Sequence, residues 1–145
     1  MAAIQDSPPE YGGGGGVPFS DYPSAASTLK KIEVWTGYEN QGPSYVIKGI
    51  RLTWFDGEGP REIHGMEGKE PDKLKYTFAK DEKVKLMTIR AGSRVDSIYF
   101  ETDKDGTFSA GAEGGTEYKD IGRGSIVGFR GAAAADLDRL GVAFR

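Results

Sequence analysis

The chain has 145 residues, the length of one domain with a single hydrophobic core. Its 19 basic and 22 acidic residues give a net charge of −3, which argues against nucleic-acid binding, because nucleic-acid binders carry a basic surplus. The lack of cysteine excludes disulfides, thiol nucleophiles and Cys-ligated metals, and no apolar run is long enough to predict membrane insertion. Glycine, at 22 residues, is about twice as frequent as usual, which favours an all-β fold rich in turns.

Residues 1–10 are polar and contain two prolines, which predicts a flexible tail before a domain that spans residues 11–145. This segment has neither the basic start nor the apolar stretch of a secretory signal. We therefore expect a cytoplasmic protein, or one that is exported without a conventional signal.

Along the rest of the chain, apolar and polar residues alternate in short segments, as in half-buried strands. These segments are 30–35, 50–54, 75–78, 84–89, 98–102, 125–129 and 140–144. Asp56-Gly57 and Asp105-Gly106 lie between strand pairs and are typical of hairpin turns. No segment has a sustained helical period, so the pattern predicts an all-β domain of about ten to twelve strands.

Three segments share one pattern of apolar residues: 46–52, 94–100 and 136–142. Their equivalent positions, 48, 96 and 138, are separated by 48 and 42 residues. Short apolar patterns recur by chance in all-β chains. Glycine-rich stretches nevertheless recur at a similar spacing, at 12–16, 65–68 and 111–115, which favours three related units around one shared core.

Local motifs for catalysis are weak. His64 is the only histidine and has no companion for a zinc site or a triad, so we expect it in a surface loop. Paired carboxylates of a glycoside hydrolase would leave no local motif, and no residue pattern here indicates them. The glycine run at 12–16 is followed by Val17-Pro18, which excludes a phosphate-binding loop. Trp35 and Trp54 are predicted to pack in the core.

In their order and spacing these segments resemble the jacalin-related lectins, and in particular the mannose-binding type. The resemblance covers nearly the whole chain, from about residue 11 to residue 145, and is carried by segments 12–21, 31–37, 47–50, 92–100, 108–115, 126–131 and 137–144. It implies a β-prism I fold, with three four-stranded antiparallel sheets around a pseudo-threefold axis. It also implies a non-enzymatic carbohydrate-binding protein for mannose- or glucose-type glycans, without metal or cofactor. Because single sites of this kind bind weakly, useful avidity requires two sites per chain or oligomerisation, and we expect a homodimer or larger oligomer.

In this family a Gly-x-x-x-Asp motif supplies a carboxylate and backbone amides to the sugar, and a glycine-rich loop of another repeat closes the other side. The resemblance therefore implies two sites. One consists of Gly92, Ser93, Arg94, Val95 and Asp96, facing Gly114 and Gly115. The other, which is the principal site in most of the family, consists of Ala134, Ala135, Asp136, Leu137 and Asp138, facing Gly15 and Gly16. In the third copy Lys48 replaces the carboxylate, and because lysine cannot accept a hydrogen bond we expect no sugar site there.

The second copy departs from the family pattern. Ala134 replaces the motif glycine, which strains the backbone if that position needs a positive φ and is harmless if it does not. Ala135 removes a stacking surface that is often aromatic in the family. Asp96 and Asp138 have the alternative role of capping tight turns. The alternative function is a β-prism interaction or structural module whose sugar sites have degenerated.

Overall fold

The computed structural model describes residues 8–24, 26–40, 42–57, 59, 62–67 and 73–145. Within these residues every regular element is a strand. The strands are β1 (Tyr11–Gly12), β2 (Val17–Asp21), β3 (Leu29–Tyr38), β4 (Tyr45–Trp54), β5 (Ile63–Gly65), β6 (Lys73–Thr77), β7 (Val84–Ala91), β8 (Val95–Thr102), β9 (Thr107–Gly111), β10 (Thr116–Tyr118), β11 (Ile126–Ala133) and β12 (Leu137–Phe144).

The strands form three four-stranded sheets with the orders β1-β12-β11-β2, β10-β7-β8-β9 and β5-β4-β3-β6. All pairs are antiparallel, and each sheet has a long central hairpin flanked by two shorter strands. The all-β, three-sheet prediction is therefore confirmed, and each of the seven predicted segments forms a strand. The five strands not among them are short edge strands, too short for a clear alternating pattern.

The three central hairpins share the same irregularities, which reveals the pseudo-threefold repeat. Each hairpin shifts register twice, six residues apart: after Leu29, Val84 and Ile126, and again after Trp35, Arg90 and Ala132. The backbone N–H groups of Gly13, Met66 and Ala112 donate to the carbonyls of Asp138, Lys48 and Asp96 over 2.9–3.0 Å. The equivalence of positions 48, 96 and 138 is therefore real. The glycine stretch at 65–68 is described only to residue 67.

The hydrophobic core lies between the sheets and takes side chains from all three repeats. Ile50, Ile98 and Leu140, which are equivalent in the repeat, are fully buried. Burial of apolar surface drives this closure. Trp35 and Trp54 are buried as predicted, and the Trp54 indole Nε1 donates to the carbonyl of Val127 over 2.8 Å.

The start of the domain differs from the predicted tail. Residues 1–7 lie outside the described part of the chain, but residues 8–10 pack on the domain. Pro8 is buried, and the Glu10 carboxylate lies 2.8 Å from both Arg130 Nε and Arg139 Nε on the central strands of the first sheet. The packed structure thus begins before residue 11.

The prediction of a surface-loop histidine is wrong. His64 lies in β5, its ring stacks on Phe19 with 4.0 Å between centroids, and its Nε2 lies 2.7 Å from the Asp21 carboxylate. Both partners belong to β2, the edge strand of another sheet, so the contact depends on tertiary packing that a local pattern does not report. Across the described segments we find no helix able to span a membrane and no cluster of three metal-ligating side chains.

Candidate functional site

Two of the central hairpins end in matching three-residue loops. In residues 92–94 the Gly92 N–H donates to the Arg94 carbonyl over 2.9 Å, and in residues 134–136 the equivalent bond from Ala134 to Asp136 is 3.0 Å. Each loop is followed by a strand whose second residue is a buried aspartate, Asp96 in β8 and Asp138 in β12. The hairpin geometry therefore places both carboxylates at the same end of the prism.

Gly114 and Gly115 lie directly on the Asp96 carboxylate. A Cβ on Gly114 would lie 2.6 Å from Asp96 Oδ2, and one on Gly115 would lie 2.5 Å from Asp96 Oδ1. Gly115 also has a φ of +73°, a left-handed conformation that favours glycine. The structure thus brings the predicted residues together, and we call Gly92–Asp96 with Gly114 and Gly115 the Asp96 cleft.

The second predicted group has the same construction. A Cβ on Gly16, whose φ is +83°, would lie 2.4 Å from Asp138 Oδ2, and one on Gly15 would lie 3.1 Å from Oδ1. We call Ala134–Asp138 with Gly15 and Gly16 the Asp138 cleft. In each cleft a buried carboxylate meets two consecutive glycines from a neighbouring strand connection.

The glycine of the Gly-x-x-x-Asp motif is not required by the backbone. Neither Gly92 nor its counterpart Ala134 has a positive φ, since Asp105 and Asp120 are the only non-glycine residues in the described chain that do. A Cβ on Gly92 would meet only the Gly115 Cα, at 3.8 Å. Ala134 is therefore accommodated without strain, so its replacement of the motif glycine does not distort the Asp138 loop.

Not every residue of the two motifs faces a ligand. Val95 and Leu137 are fully buried in the core, so their side chains cannot contact a sugar and only their backbone belongs to the clefts. Ser93 and Ala134 are exposed, and Ala135 is half-buried.

The third hairpin carries a feature that sequence reasoning missed. The pair Thr36–Ile47 is equivalent to Ala91–Val95 and Ala133–Leu137, but it encloses ten residues instead of three. We call residues 37–46 the long hairpin; Gln41 lies outside the described residues. Its Glu39, Ser44 and Val46 form one wall of a cavity of about 140 Å³ whose other lining residues are Gly92, Ser93, Arg94, Asp96 and Gly115. The unequal loop lengths are visible in the sequence and were the one signal that could have indicated this wall.

Asp136 is the centre of an ion cluster. Its buried carboxylate accepts hydrogen bonds from Lys48 Nζ, from Arg94 Nε at 3.0 Å and from the Asn40 backbone N–H at 3.0 Å. Burial raises the pKa of Asp136, but these three donors outweigh burial and hold the pKa below its usual value. The Asp136 side chain, predicted as part of the sugar site, is thus fully engaged by the protein. Lys48 lies in the same cluster.

The two cleft carboxylates differ in their partners. Arg94 Nη1 lies 3.3 Å from Asp138 Oδ1, whereas no cationic side chain in the described chain pairs with Asp96. Burial is the largest influence on both and raises the pKa of each carboxyl. For Asp138 the charges of Arg94 and Arg139 oppose that rise, and for Asp96 a hydrogen bond from the Gly92 N–H and the charge of Arg90 oppose it. The difference between the two carboxylates is therefore that Asp138 has a cation at ion-pair distance and Asp96 has none among the described residues.

Comparisons with known proteins agree with this architecture. The chain matches the Jacalin-like lectin domain family over residues 9–143 and belongs to that family. It is a β-prism lectin domain, a class of non-catalytic carbohydrate-binding protein. A comparison with curated proteins finds no match.

Among solved structures, artocarpin, described as a lectin with mannose specificity, is 26% identical over 93% of each chain with a TM-score of 0.72. Malaysian banana lectin shares the fold at 22% identity over 94% of each chain, with a TM-score of 0.75. A lamprey immune protein also shares it, at 24% identity and a TM-score of 0.75, over 98% of this chain. This chain spans only 44% of the lamprey protein's length.

Proposed function

We propose that this protein binds mannose- or glucose-type glycans without catalysis, and that the Asp96 cleft is its principal site. The observation that carries the proposal is the buried Asp96 carboxylate, which faces two glycines at a cavity and has no cationic partner among the described side chains. The similarity to artocarpin supports the sugar class, because structures of that lectin with methyl-α-mannose and with mannotriose are among the matches at 25% identity.

The chemistry of the Asp96 cleft suits a neutral sugar. A carboxylate accepts hydrogen bonds from two neighbouring hydroxyls, and such charge-assisted bonds are stronger than neutral ones. Gly114 and Gly115 leave room for a sugar ring to approach the carboxylate, since neither carries a Cβ. Ser93 lines the same cavity, and its hydroxyl supplies a donor for a further sugar oxygen.

Selectivity follows from the hydroxyls that such a cleft contacts. Mannose and glucose have the same configuration at the third, fourth and fifth carbons, whereas galactose is inverted at the fourth. A carboxylate that holds neighbouring hydroxyls at the third and fourth or the fourth and sixth carbons therefore accepts the first two sugars and rejects the third. We propose this order of preference for the Asp96 cleft.

Isothermal titration calorimetry with methyl-α-mannoside, methyl-α-glucoside and methyl-α-galactoside tests the proposal. Asp96→Asn keeps the shape of the side chain but removes its charge, and should weaken mannoside binding by about tenfold or more, the value of a hydrogen bond to a charged group. Glu113→Gln, which removes an exposed charge near the same cleft, is the matched control and should bind as the wild type does. Folded wild-type protein that binds none of the sugars, and no glycan on an array, would refute the proposal.

One specific observation favours a second candidate, an interaction module with degenerate sugar sites. Of the three positions equivalent to the motif aspartate, two form ion pairs within the protein: Asp138 with Arg94, and Lys48 with Asp136. If all three positions had lost function, Asp96→Asn would change no glycan binding, and the calorimetry distinguishes the two candidates.

We also propose that the protein forms a homodimer or a larger oligomer, because shallow single sites give useful avidity only when several act together. Sedimentation velocity at micromolar concentration measures the assembly directly. A monomer under those conditions would contradict this proposal and leave sugar binding itself unaffected.

A further inference from the structure

The three repeats interlock around the pseudo-threefold axis in a regular way. In two of the three repeats, the third residue of the short loop contacts the position equivalent to the motif aspartate in the next repeat: Arg94 contacts Asp138, and Asp136 contacts Lys48. The remaining position, Asp96, meets the long hairpin instead, which contributes Glu39, Ser44 and Val46 to the cavity wall and no cation.

From this arrangement we infer that Arg94 closes the Asp138 cleft to neutral sugars, so that each chain has one working sugar site, the Asp96 cleft. The inference rests on the proposed function and identifies Arg94 as the residue that decides which cleft works. Arg94 is suited to this role because its backbone belongs to the Asp96 cleft while its side chain reaches the Asp138 cleft.

The Arg94 guanidinium is held in place by three groups. Its Nε donates to Asp136 Oδ2 over 3.0 Å, its Nη1 donates to the Ser93 carbonyl over 3.0 Å, and the same Nη1 lies 3.3 Å from Asp138 Oδ1. Arg94 is only partly exposed, and the buried Asp136 on which it rests is also bound by Lys48. A sugar therefore has to compete with an anchored guanidinium rather than with a mobile surface side chain.

The effect falls on the atoms a sugar needs. Asp138 Oδ2 lies against Gly16, and Oδ1 is shared with Arg94, so its charge is already partly balanced by a cation. A hydroxyl that donates to such a carboxylate gains less than one that donates to an unpaired carboxylate, because the charge-assisted part of the bond is reduced. The glycine contacts are alike in the two clefts. The ion pair of Arg94, and not the substitution at Ala134, is thus what weakens sugar binding at Asp138.

Counting the sugars bound per chain tests this inference. In native mass spectrometry and in calorimetry with methyl-α-mannoside, the wild type should bind one sugar per chain. Asp138→Asn should leave that number unchanged, and Asp96→Asn should bring it well below one at the sugar concentration that saturates the wild type, in line with an affinity at least about tenfold weaker. These two variants keep Arg94 and test the inference even if Arg94 variants fold poorly.

Arg94→Gln should raise the number from one sugar to two by releasing Asp138, a gain that a merely structural role for Arg94 would not produce. The double variant Arg94→Gln with Asp96→Asn should bind one sugar, and Arg94→Gln with Asp138→Asn should also bind one. Arg123→Gln removes an exposed arginine that contacts neither cleft and serves as the charge control, with one sugar expected.

The outcomes separate this inference from the proposed function. Two sugars bound to the wild type, or one sugar lost on Asp138→Asn, would overturn the role given to Arg94 while leaving the lectin function intact. An unchanged number in a folded Arg94→Gln variant would overturn it as well. A wild type that binds no sugar at all would instead contradict the proposed function.

Discussion

Arg94 and Asp136 occupy the same position in two neighbouring hairpin loops, and their side chains bind each other, with Nε 3.0 Å from Oδ2. The pair lies at the end of the prism where the three repeats meet, and Lys48 and the Asn40 N–H complete the coordination of the buried carboxylate. One ion cluster therefore fixes the long hairpin, the Asp96 loop and the Asp138 loop relative to each other.

Removing the central carboxylate should weaken the fold. Asp136→Asn leaves the Lys48 and Arg94 cations without their buried partner, and we expect the free energy of unfolding to fall by about 1–3 kcal/mol. Asp138→Asn is the matched control. Burial raises the pKa of Asp138 and thus disfavours its charged form, so loss of that charge should cost little. Urea denaturation at neutral pH measures both, and equal losses would contradict the central role of Asp136.

The glycines on the Asp96 carboxylate should not tolerate a side chain. Gly115→Ala places a Cβ 2.5 Å from Asp96 Oδ1 at a φ of +73°, so we expect loss of mannoside binding and about 1–2 kcal/mol of destabilisation. Gly14→Ala is the control, because its Cβ would meet nothing within 4 Å and its φ is not positive. Calorimetry and thermal denaturation check both variants. Wild-type affinity in Gly115→Ala would show that sugar does not enter this cleft.

The motif glycine should be replaceable. Because a Cβ on Gly92 meets only the Gly115 Cα at 3.8 Å and the φ of Gly92 is not positive, Gly92→Ala should keep its stability within about 0.5 kcal/mol. Urea denaturation measures this stability, and a loss of more than about 1 kcal/mol would show that the position requires glycine. A tenfold loss of mannoside affinity in a stable Gly92→Ala protein would mean that the bound sugar contacts this residue and clashes with the added Cβ.

Acidification should abolish binding before it unfolds the protein. Burial raises the pKa of Asp96 above its usual value, so the carboxylate that accepts sugar hydroxyls is protonated at a higher pH than an ordinary aspartate. Since the folded pKa lies above the unfolded one, protonation of Asp96 favours the folded state and its loss of charge does not destabilise the fold.

Other carboxylates hold the fold together over the same pH range. Hydrogen bonds from Arg51 lower the pKa of Glu33 in the folded protein to about 2. The ionised Glu33 therefore contributes its full stabilisation above the unfolded pKa, and this stabilisation is lost as the pH falls from the unfolded pKa toward about 2. We expect calorimetric affinity to fall as the pH is lowered, at a higher pH than an ordinary aspartate would require, before the circular dichroism spectrum changes. Affinity that stays constant until the circular dichroism spectrum changes would contradict the dependence on an ionised Asp96.

Much of the fold was predictable because it is encoded in local patterns. Alternation of apolar residues defined the long strands, and the recurrence of positions 48, 96 and 138 defined the three repeats. The approach of Gly114 and Gly115 to Asp96 was expected from the resemblance to the jacalin-related lectins, in which a glycine-rich loop of another repeat closes the site.

The rest depends on contacts between repeats that no local pattern records. Lys48 was predicted only as a lost acceptor, yet it binds Asp136 of another repeat. Arg94 was predicted as a member of one cleft, and its side chain reaches the other. The stack of His64 on Phe19 likewise joins edge strands of two sheets. The length difference of the long hairpin was visible in the sequence, but the wall it forms became evident only in three dimensions.

A titration of ¹⁵N-labelled protein with methyl-α-mannoside, followed by two-dimensional NMR of the backbone amides, tests the central claim most directly. The account predicts saturable shifts of the Gly92, Ser93, Gly114 and Gly115 amides, which surround the Asp96 carboxylate, with little change at Gly15 and Gly16. Shifts confined to Gly15, Gly16 and the Asp138 loop, or no shifts at saturating sugar, would contradict it.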